Sequence, residues 1–222
     1  MGLDVKNDWL DRDIAAYVMA HTAQPDDLQR ALITETAERT GRAAGMQVSA
    51  DQGALLALFV GITGARHVVE VGTFTGYSSL CMARALPAGG RLLCCDVSEE
   101  WTAVARRYWF DAGVSDRITL RVAPALQTLR DLPLDDPIDL AFIDADKTGY
   151  AAYYEEILAR LRPSGVILVD NTLWSGRVLD AVADDDADTV ALRAFNEMVV
   201  ADGRVESYLL PVADGLTVIR KR

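Results

Sequence analysis

The chain predicts a doubly wound α/β fold, and three observations carry that expectation. Short apolar runs of strand character alternate with helical patterns from about residue 65 onward. One of those runs, His67 to Val71, leads through a glycine-spaced turn, Gly72 to Gly76, into a helical stretch. The last two runs, Arg204 to Leu210 and Gly215 to Arg220, flank the short turn Pro211 to Asp214 as a closing hairpin would.

The elements follow in order. Helical periodicity covers Trp9 to Ala20, Asp26 to Arg39 and Asp51 to Thr63, with Ser49 placed to cap the third of these. Strands are expected at His67–Val71, Arg91–Asp96, Ile118–Val122, Ile138–Ile143 and Val166–Val169, with helices opening near Gly76, Glu99, Pro124 and Gly149 between them. A further helix, near Thr189 to Val200, precedes the hairpin. With 222 residues and 50% hydrophobic side chains, one core of one domain is expected over 1–222. Residues 1–64 form its N-terminal helical portion on the substrate side, and 65–222 its ligand-binding α/β core.

Composition narrows the function classes. A net charge of −11 and a sequence pI near 4.6 oppose nonspecific attraction to nucleic acid or an anionic membrane, so a small-molecule partner is expected. The longest apolar stretches, Ala54–Ile62 and Gly165–Val169, are too short to span a bilayer, and MGLDVKNDWL carries no signal-peptide pattern, which favours a cytoplasmic protein. Cys81, Cys94 and Cys95 lack metal-ligand spacing and read as buried thiols. The acidic run Asp184 to Asp188 reads as a solvated loop, since it lacks the glycine and terminal glutamate of a calcium loop.

Chemistry concentrates where the strands end. The turn VVEVGTFTGYSSL supplies G-x-x-x-G rather than the G-x-G-x-x-G of a dinucleotide fingerprint, which argues against a pyrophosphate. Glu70 just ahead of it would repel phosphates and suit a cationic ligand such as S-adenosylmethionine. Asp96, at the end of the second strand, is placed to accept ribose hydroxyls or, alternatively, to cap the following helix. Ala123 to Ala125 leaves room for an adenine ring, or is ordinary turn chemistry. LAFIDADK and GVILVDNTLWSG deliver Asp144, Asp146 and Lys147, then Asp170 and Asn171, to the same edge. Asp144, Asp170 and Asn171 offer two carboxylates and an amide oxygen, a hard-oxygen set suited to Mg²⁺ or another hard divalent cation. With only His21 and His67 in the chain, neither a zinc site nor a Ser-His-Asp triad assembles.

Taken together and in this order, VEVGTFTGYSSL, FIDADK and VDNTLWSG, preceded by MQVSADQG (Met46–Gly53), resemble the cation-dependent class I O-methyltransferases, the catechol and caffeoyl-CoA enzymes among them. The resemblance spans about Met46 to Gly176 and also fits the closing segment; the first 40 residues match least. It implies a Rossmann-like seven-stranded methyltransferase sheet, mostly parallel with an antiparallel C-terminal hairpin. It implies metal ligation by Asp144, Asp170 and Asn171, and cofactor contacts from Val48, Glu70, Gly72, Thr73, Ser78, Asp96, Ala125, Asp144 and Asp146. Ala123 departs from the glycine many relatives carry there, which weakens the adenine-side contact at Ala125.

Under that resemblance Lys147 takes the acceptor's proton, its pKa depressed beside a divalent cation, with a solvent-exposed lysine as the alternative. Trp174 and Met46 are candidate walls for an aromatic substrate. Tyr150, Tyr153 and Tyr154 are expected to pack in the core or at an interface. The function so implied is Mg²⁺-dependent methyl transfer from S-adenosylmethionine to a hydroxyl of a catechol-type small molecule, in an enzyme whose relatives are often homodimers. A nicotinamide-dependent oxidoreductase and a non-catalytic adenosine-binding regulator are the alternatives.

Overall fold

A computed structural model describes residues 11–180 and 186–222. The segment MGLDVKNDWL, including the Trp9 start of the first helix, and the Asp184–Asp185 part of the acidic run lie outside them. Within the described residues the chain begins with α1 (Arg12–Ala20), capped by the Asp11 carboxylate on the Asp13 amide at 2.9 Å. In α2 (Asp27–Thr40) the expected first residue, Asp26, is instead the cap, in a reciprocal pair with Gln29. A 3₁₀ turn, Gly41–Met46, leads to α3 (Ala50–Thr63). Ser49 stands at the cap position of α3 but, contrary to expectation, bonds none of its amides, and its buried hydroxyl has no partner among the described residues.

The sheet comprises β1 (His67–Val71), β2 (Arg91–Asp96), β3 (Ile118–Val122), β4 (Ile138–Ile143), β5 (Leu161–Val169), β6 (Val205–Leu210) and β7 (Leu216–Lys221), in the order β3-β2-β1-β4-β5-β7-β6. The pairings from β3 through β5 are parallel, while β7 runs antiparallel to both β5 and β6. Between the strands run α4 (Tyr77–Ala85), α5 (Glu99–Asp111), α6 (Ala125–Arg130), α7 (Tyr150–Arg160) and α8 (Ala187–Ala201). This is the doubly wound sheet with a terminal hairpin that the sequence predicts.

Both faces are covered, which is why β1 is buried at every position. Successive side chains of a strand point to opposite faces. Val68 joins Leu56, Val60, Leu80 and Trp109 beneath α3, α4 and α5, whereas Val69 and Val71 join Leu129, Tyr154, Ile157 and Phe195 beneath α6, α7 and α8. The three cysteines are free and buried, as expected.

β5 begins five residues earlier than the apolar run that predicts it, with a register break between its pairs to Ile138 and Leu140. Pro163 has no amide to donate and Ser164 is left-handed at φ 60°, so this stretch bulges while Leu161 pairs ahead of it. Among the described residues no single helix is long and apolar enough to cross a membrane.

Candidate functional site

The chain reverses direction across the sheet between β1 and β4, and at such a switch point the carboxyl ends of the strands open a crevice. Hydrogen bonds continue the ladder just past each strand and fix what stands there. Gly72 N–H donates to Cys95 O at 2.9 Å, Asp144 N–H to Val71 O at 2.8 Å, and Asp170 N–H to Ile143 O at 3.0 Å. The acids predicted from sequence are thus brought side by side at one edge.

A cavity of about 840 Å³ occupies that edge, within the usual range for small-ligand sites. Met46, Val48, Gly72, Thr73, Ser78, Asp96, Ala125, Asp144, Asp146, Lys147, Asp170, Asn171 and Trp174 all line it. Glu70 does not. It is fully buried behind the turn, with one oxygen accepting from the Ser78 hydroxyl at 2.6 Å and the Cys94 and Thr73 side chains close by. Burial pushes its carboxyl up to about 7, so the acid expected to face a cationic ligand sits instead behind the wall and is largely neutral below pH 7.

The turn itself depends on close approach. Gly72 adopts φ +90°, and a methyl group there would fall 1.8 Å from the Asp144 carbonyl oxygen. Asp96 holds the turn from the neighbouring strand: one oxygen accepts the Thr73 and Phe74 amides at 2.9 and 2.7 Å, the other the Ser98 amide at 2.8 Å. The cap of α5 is Ser98, whose hydroxyl accepts from Trp101, so capping does not account for Asp96. Phe74 and Trp101 meet edge to face at 4.8 Å on the same wall.

On the other side of Gly72, Lys147 is buried, which removes the solvent-exposed alternative. Its ammonium donates to Asn171 Oδ1 at 2.7 Å, Asp144 Oδ1 at 3.2 Å and the Tyr150 hydroxyl at 2.6 Å. Asp170 is buried beside Asp144, and desolvation together with that neighbouring charge pushes its carboxyl up to about 7. Its side chain accepts the Asn171 amide at 2.7 Å, and Asn171 takes the left-handed φ of 57° that asparagine tolerates. The hairpin fixes this loop: Thr172 and Leu173 amides donate to Gly215 and Asp214 carbonyls, each at 3.0 Å.

No cluster of three or more His, Cys, Asp or Glu side chains occurs among the described residues. The predicted set instead comprises two carboxylates and an amide oxygen. It fits a hard divalent cation: two neighbouring carboxylates, one of them destabilised as an anion, together with an amide oxygen, already draw a cationic side chain into their midst.

Several lining residues escaped the sequence: Gln52, Phe74, Trp101, Tyr153, Asp188 and Asp214. Gln52 reaches in from α3, its amide near enough to favour the charged form of Asp170 yet outside hydrogen-bond geometry. The expectation that the tyrosines pack in the core holds, and two of them also reach polar groups of the site. All three are buried, but the Tyr150 hydroxyl meets Lys147, and the Tyr153 hydroxyl donates to Asp146 at 2.7 Å. Their spacing one turn beyond Lys147 is the signal that could have found Tyr150.

This sheet order, with a nucleoside-sized cradle over β1 and β2 and an acidic pocket over β4 and β5, defines a Rossmann-like methyltransferase class. An O-methyltransferase family model matches residues 19–222. "Probable caffeoyl-CoA O-methyltransferase 2" of Dictyostelium discoideum is 42% identical across 94% of this chain and 91% of its own length. Two solved structures superpose with a TM-score of 0.85 each. One is the O-methyltransferase TomG from Streptomyces achromogenes, involved in tomaymycin synthesis and complexed with S-adenosylmethionine (SAM), at 31% identity over 94% of this chain and 96% of that one. The other is an O-methyltransferase from Bacillus cereus in complex with SAH, at 32% identity over 95% and 97%. The chain belongs to the O-methyltransferase family and is an S-adenosylmethionine-dependent O-methyltransferase. The nicotinamide-dependent oxidoreductase and the non-catalytic regulator are thereby set aside.

Proposed function

We propose that this O-methyltransferase is Mg²⁺-dependent and methylates one hydroxyl of a catechol-type small molecule. Convergence of Asp144, Asp170 and Asn171 on one point beside the cofactor cradle, with the buried Lys147 between them, carries this assignment. Asp144, Asp170 and Asn171 would hold the cation. When bound, a divalent cation lowers the pKa of an adjacent acceptor hydroxyl and fixes its orientation. S-adenosylmethionine supplies the methyl group as the electrophilic carbon of a sulfonium, which leaves as a neutral thioether.

The residues of the chain do the rest. Asp96, which holds the turn through its amides, orients the nucleoside, with Val48, Thr73, Ser78, Ala125 and Asp146 completing its wall. Lys147 Nζ, in the neutral amine form that a cation beside it favours, receives the proton that the acceptor hydroxyl gives up. Trp174 and Met46, both on the cavity wall, flank the aromatic ring. Holding both reactants in line supplies much of the rate, since well-oriented pairs recover about 7–11 kcal/mol of a bimolecular barrier.

The charge of the pocket supports a small acceptor free of phosphates. Asp144, Asp146, Asp170, Asp188 and Asp214 line it, with Lys147 as the cation among the described lining residues. A polyanionic thioester would meet like charge along this lining.

The test is transfer of labelled methyl to a panel of free catechols and catechol thioesters, with Mg²⁺ and with excess EDTA. Loss of transfer on chelation, its return with Mg²⁺, its absence in Asp144→Ala and a preference for the free catechols support the proposal. Undiminished transfer in EDTA refutes the cation requirement.

A further inference from the structure

Lys147 has three acceptors, and only two of them belong to the proposed cation site. Asp144 Oδ1 at 3.2 Å and Asn171 Oδ1 at 2.7 Å are oxygens a divalent cation would claim, whereas the Tyr150 hydroxyl at 2.6 Å is not. A cation on the first two takes their lone pairs and repels the ammonium beside it. A lysine deprived of both would lose its position in a buried pocket.

Resting on the cation-site assignment above, we propose that Tyr150 is the positioning residue that keeps Lys147 in place when the cation occupies Asp144 and Asn171. The hydroxyl is built for one direction. Its own proton is committed to the Asp170 carbonyl oxygen at 3.1 Å, which leaves its lone pairs to accept from Lys147 and from the Ala145 amide beside it. The ring is wholly buried and held edge-on by Phe195 at 5.7 Å, so the oxygen does not wander. Being neutral, it holds the lysine without competing for the metal. The Tyr150 and Trp174 rings lie 4.8 and 5.6 Å from Nζ, adding attraction for the ammonium that involves no cation ligand.

Cation and lysine therefore compete for two oxygens, and Tyr150 relieves the competition. Calorimetric titration of the cofactor-free protein with Mn²⁺ reads this directly, on wild type, Tyr150→Phe, Lys147→Met and the double variant. Tyr150→Phe should weaken Mn²⁺ binding about tenfold, as expected for losing a hydrogen bond to a charged group, because the ammonium then leans on Asp144 and Asn171. Lys147→Met should tighten Mn²⁺ binding, and adding Tyr150→Phe to it should change nothing further. Tyr150→Phe should also lower kcat about tenfold with the acceptor KM unchanged.

Unchanged Mn²⁺ affinity in Tyr150→Phe, failure of Lys147→Met to tighten binding, or an equal Tyr150→Phe effect in both backgrounds overturns the proposal while leaving the cation site standing. Wild type that binds no Mn²⁺ overturns the cation site and this proposal together. Lys147→Met leaves Tyr150 in place, so its arm reports even where Tyr150→Phe does not fold.

Discussion

Replacing Gly72 by alanine tests whether the β1–α4 turn is fixed by contact with β4 rather than by its own flexibility. At φ +90° a side chain pays the left-handed penalty, about 1–2 kcal/mol. The new methyl would also stand 1.8 Å from the Asp144 carbonyl oxygen and 2.6 Å from its carbon, where real Cβ atoms do not come within 3.0 Å. Those atoms are backbone and cannot rotate aside, so the turn or the end of β4 must move, at a further cost of about 1–3 kcal/mol. The total, about 2–5 kcal/mol, corresponds to a fall in Tm on the order of 5–20 °C for a chain of this size. Gly64, at φ +61° with nothing within 4 Å, isolates the first contribution and should cost only about 1–2 kcal/mol as alanine. Urea unfolding followed by circular dichroism measures both variants, and calorimetry with S-adenosylmethionine should show Gly72→Ala binding poorly while Gly64→Ala binds normally. If Gly72→Ala proves no less stable than Gly64→Ala, contact with Asp144 is not what demands glycine there.

Glu70 makes stability depend on pH. Its carboxyl is raised to about 7 in the fold, so the folded state keeps a proton that the unfolded state releases near pH 4.5; the stabilisation is full below that value and is lost as pH rises through about 7. Cofactor-free Glu70→Gln should therefore gain up to about 3 kcal/mol on wild type between pH 4.5 and 8, and parallel stability curves would contradict the buried protonated acid. Asp96→Ala removes the acceptor of the Thr73, Phe74 and Ser98 amides, and should weaken S-adenosylmethionine binding at least about tenfold by calorimetry; an unaltered Kd would show that the turn holds without it.

Much of the site was legible because it is local. An apolar run that stops at an acid states where a buried parallel strand ends, so Asp96, Asp144 and Asp170 could be placed on one edge before any contact was known. The hairpin was legible for the same reason, as two runs around a short turn. By contrast, the bulge at Arg162–Gly165 was hidden, since the early pairing of Leu161 with Ile138 depends on a neighbouring strand far away in sequence. Gln52 was hidden too: it lies on α3, and nothing in that helix states that its amide will face Asp170.

The sequence by itself determined which faces are buried and which acids end strands, because periodicity and strand termination are properties of consecutive residues. Only the tertiary structure decided what the polar tips of buried side chains meet. Tyr150 and Tyr154 share the same helix and the same burial, yet one hydroxyl accepts from Lys147 in the pocket and the other donates to Asp202, which does not line it. Glu70 and Asp96 both stand near the carboxyl ends of neighbouring strands, Glu70 one residue inside β1 and Asp96 last in β2, and one is sealed behind the wall while the other lines the cavity. Burial is set by a residue's own pattern, but a hydrogen bond requires a second atom within about 3 Å, and that atom comes from wherever the fold brings it.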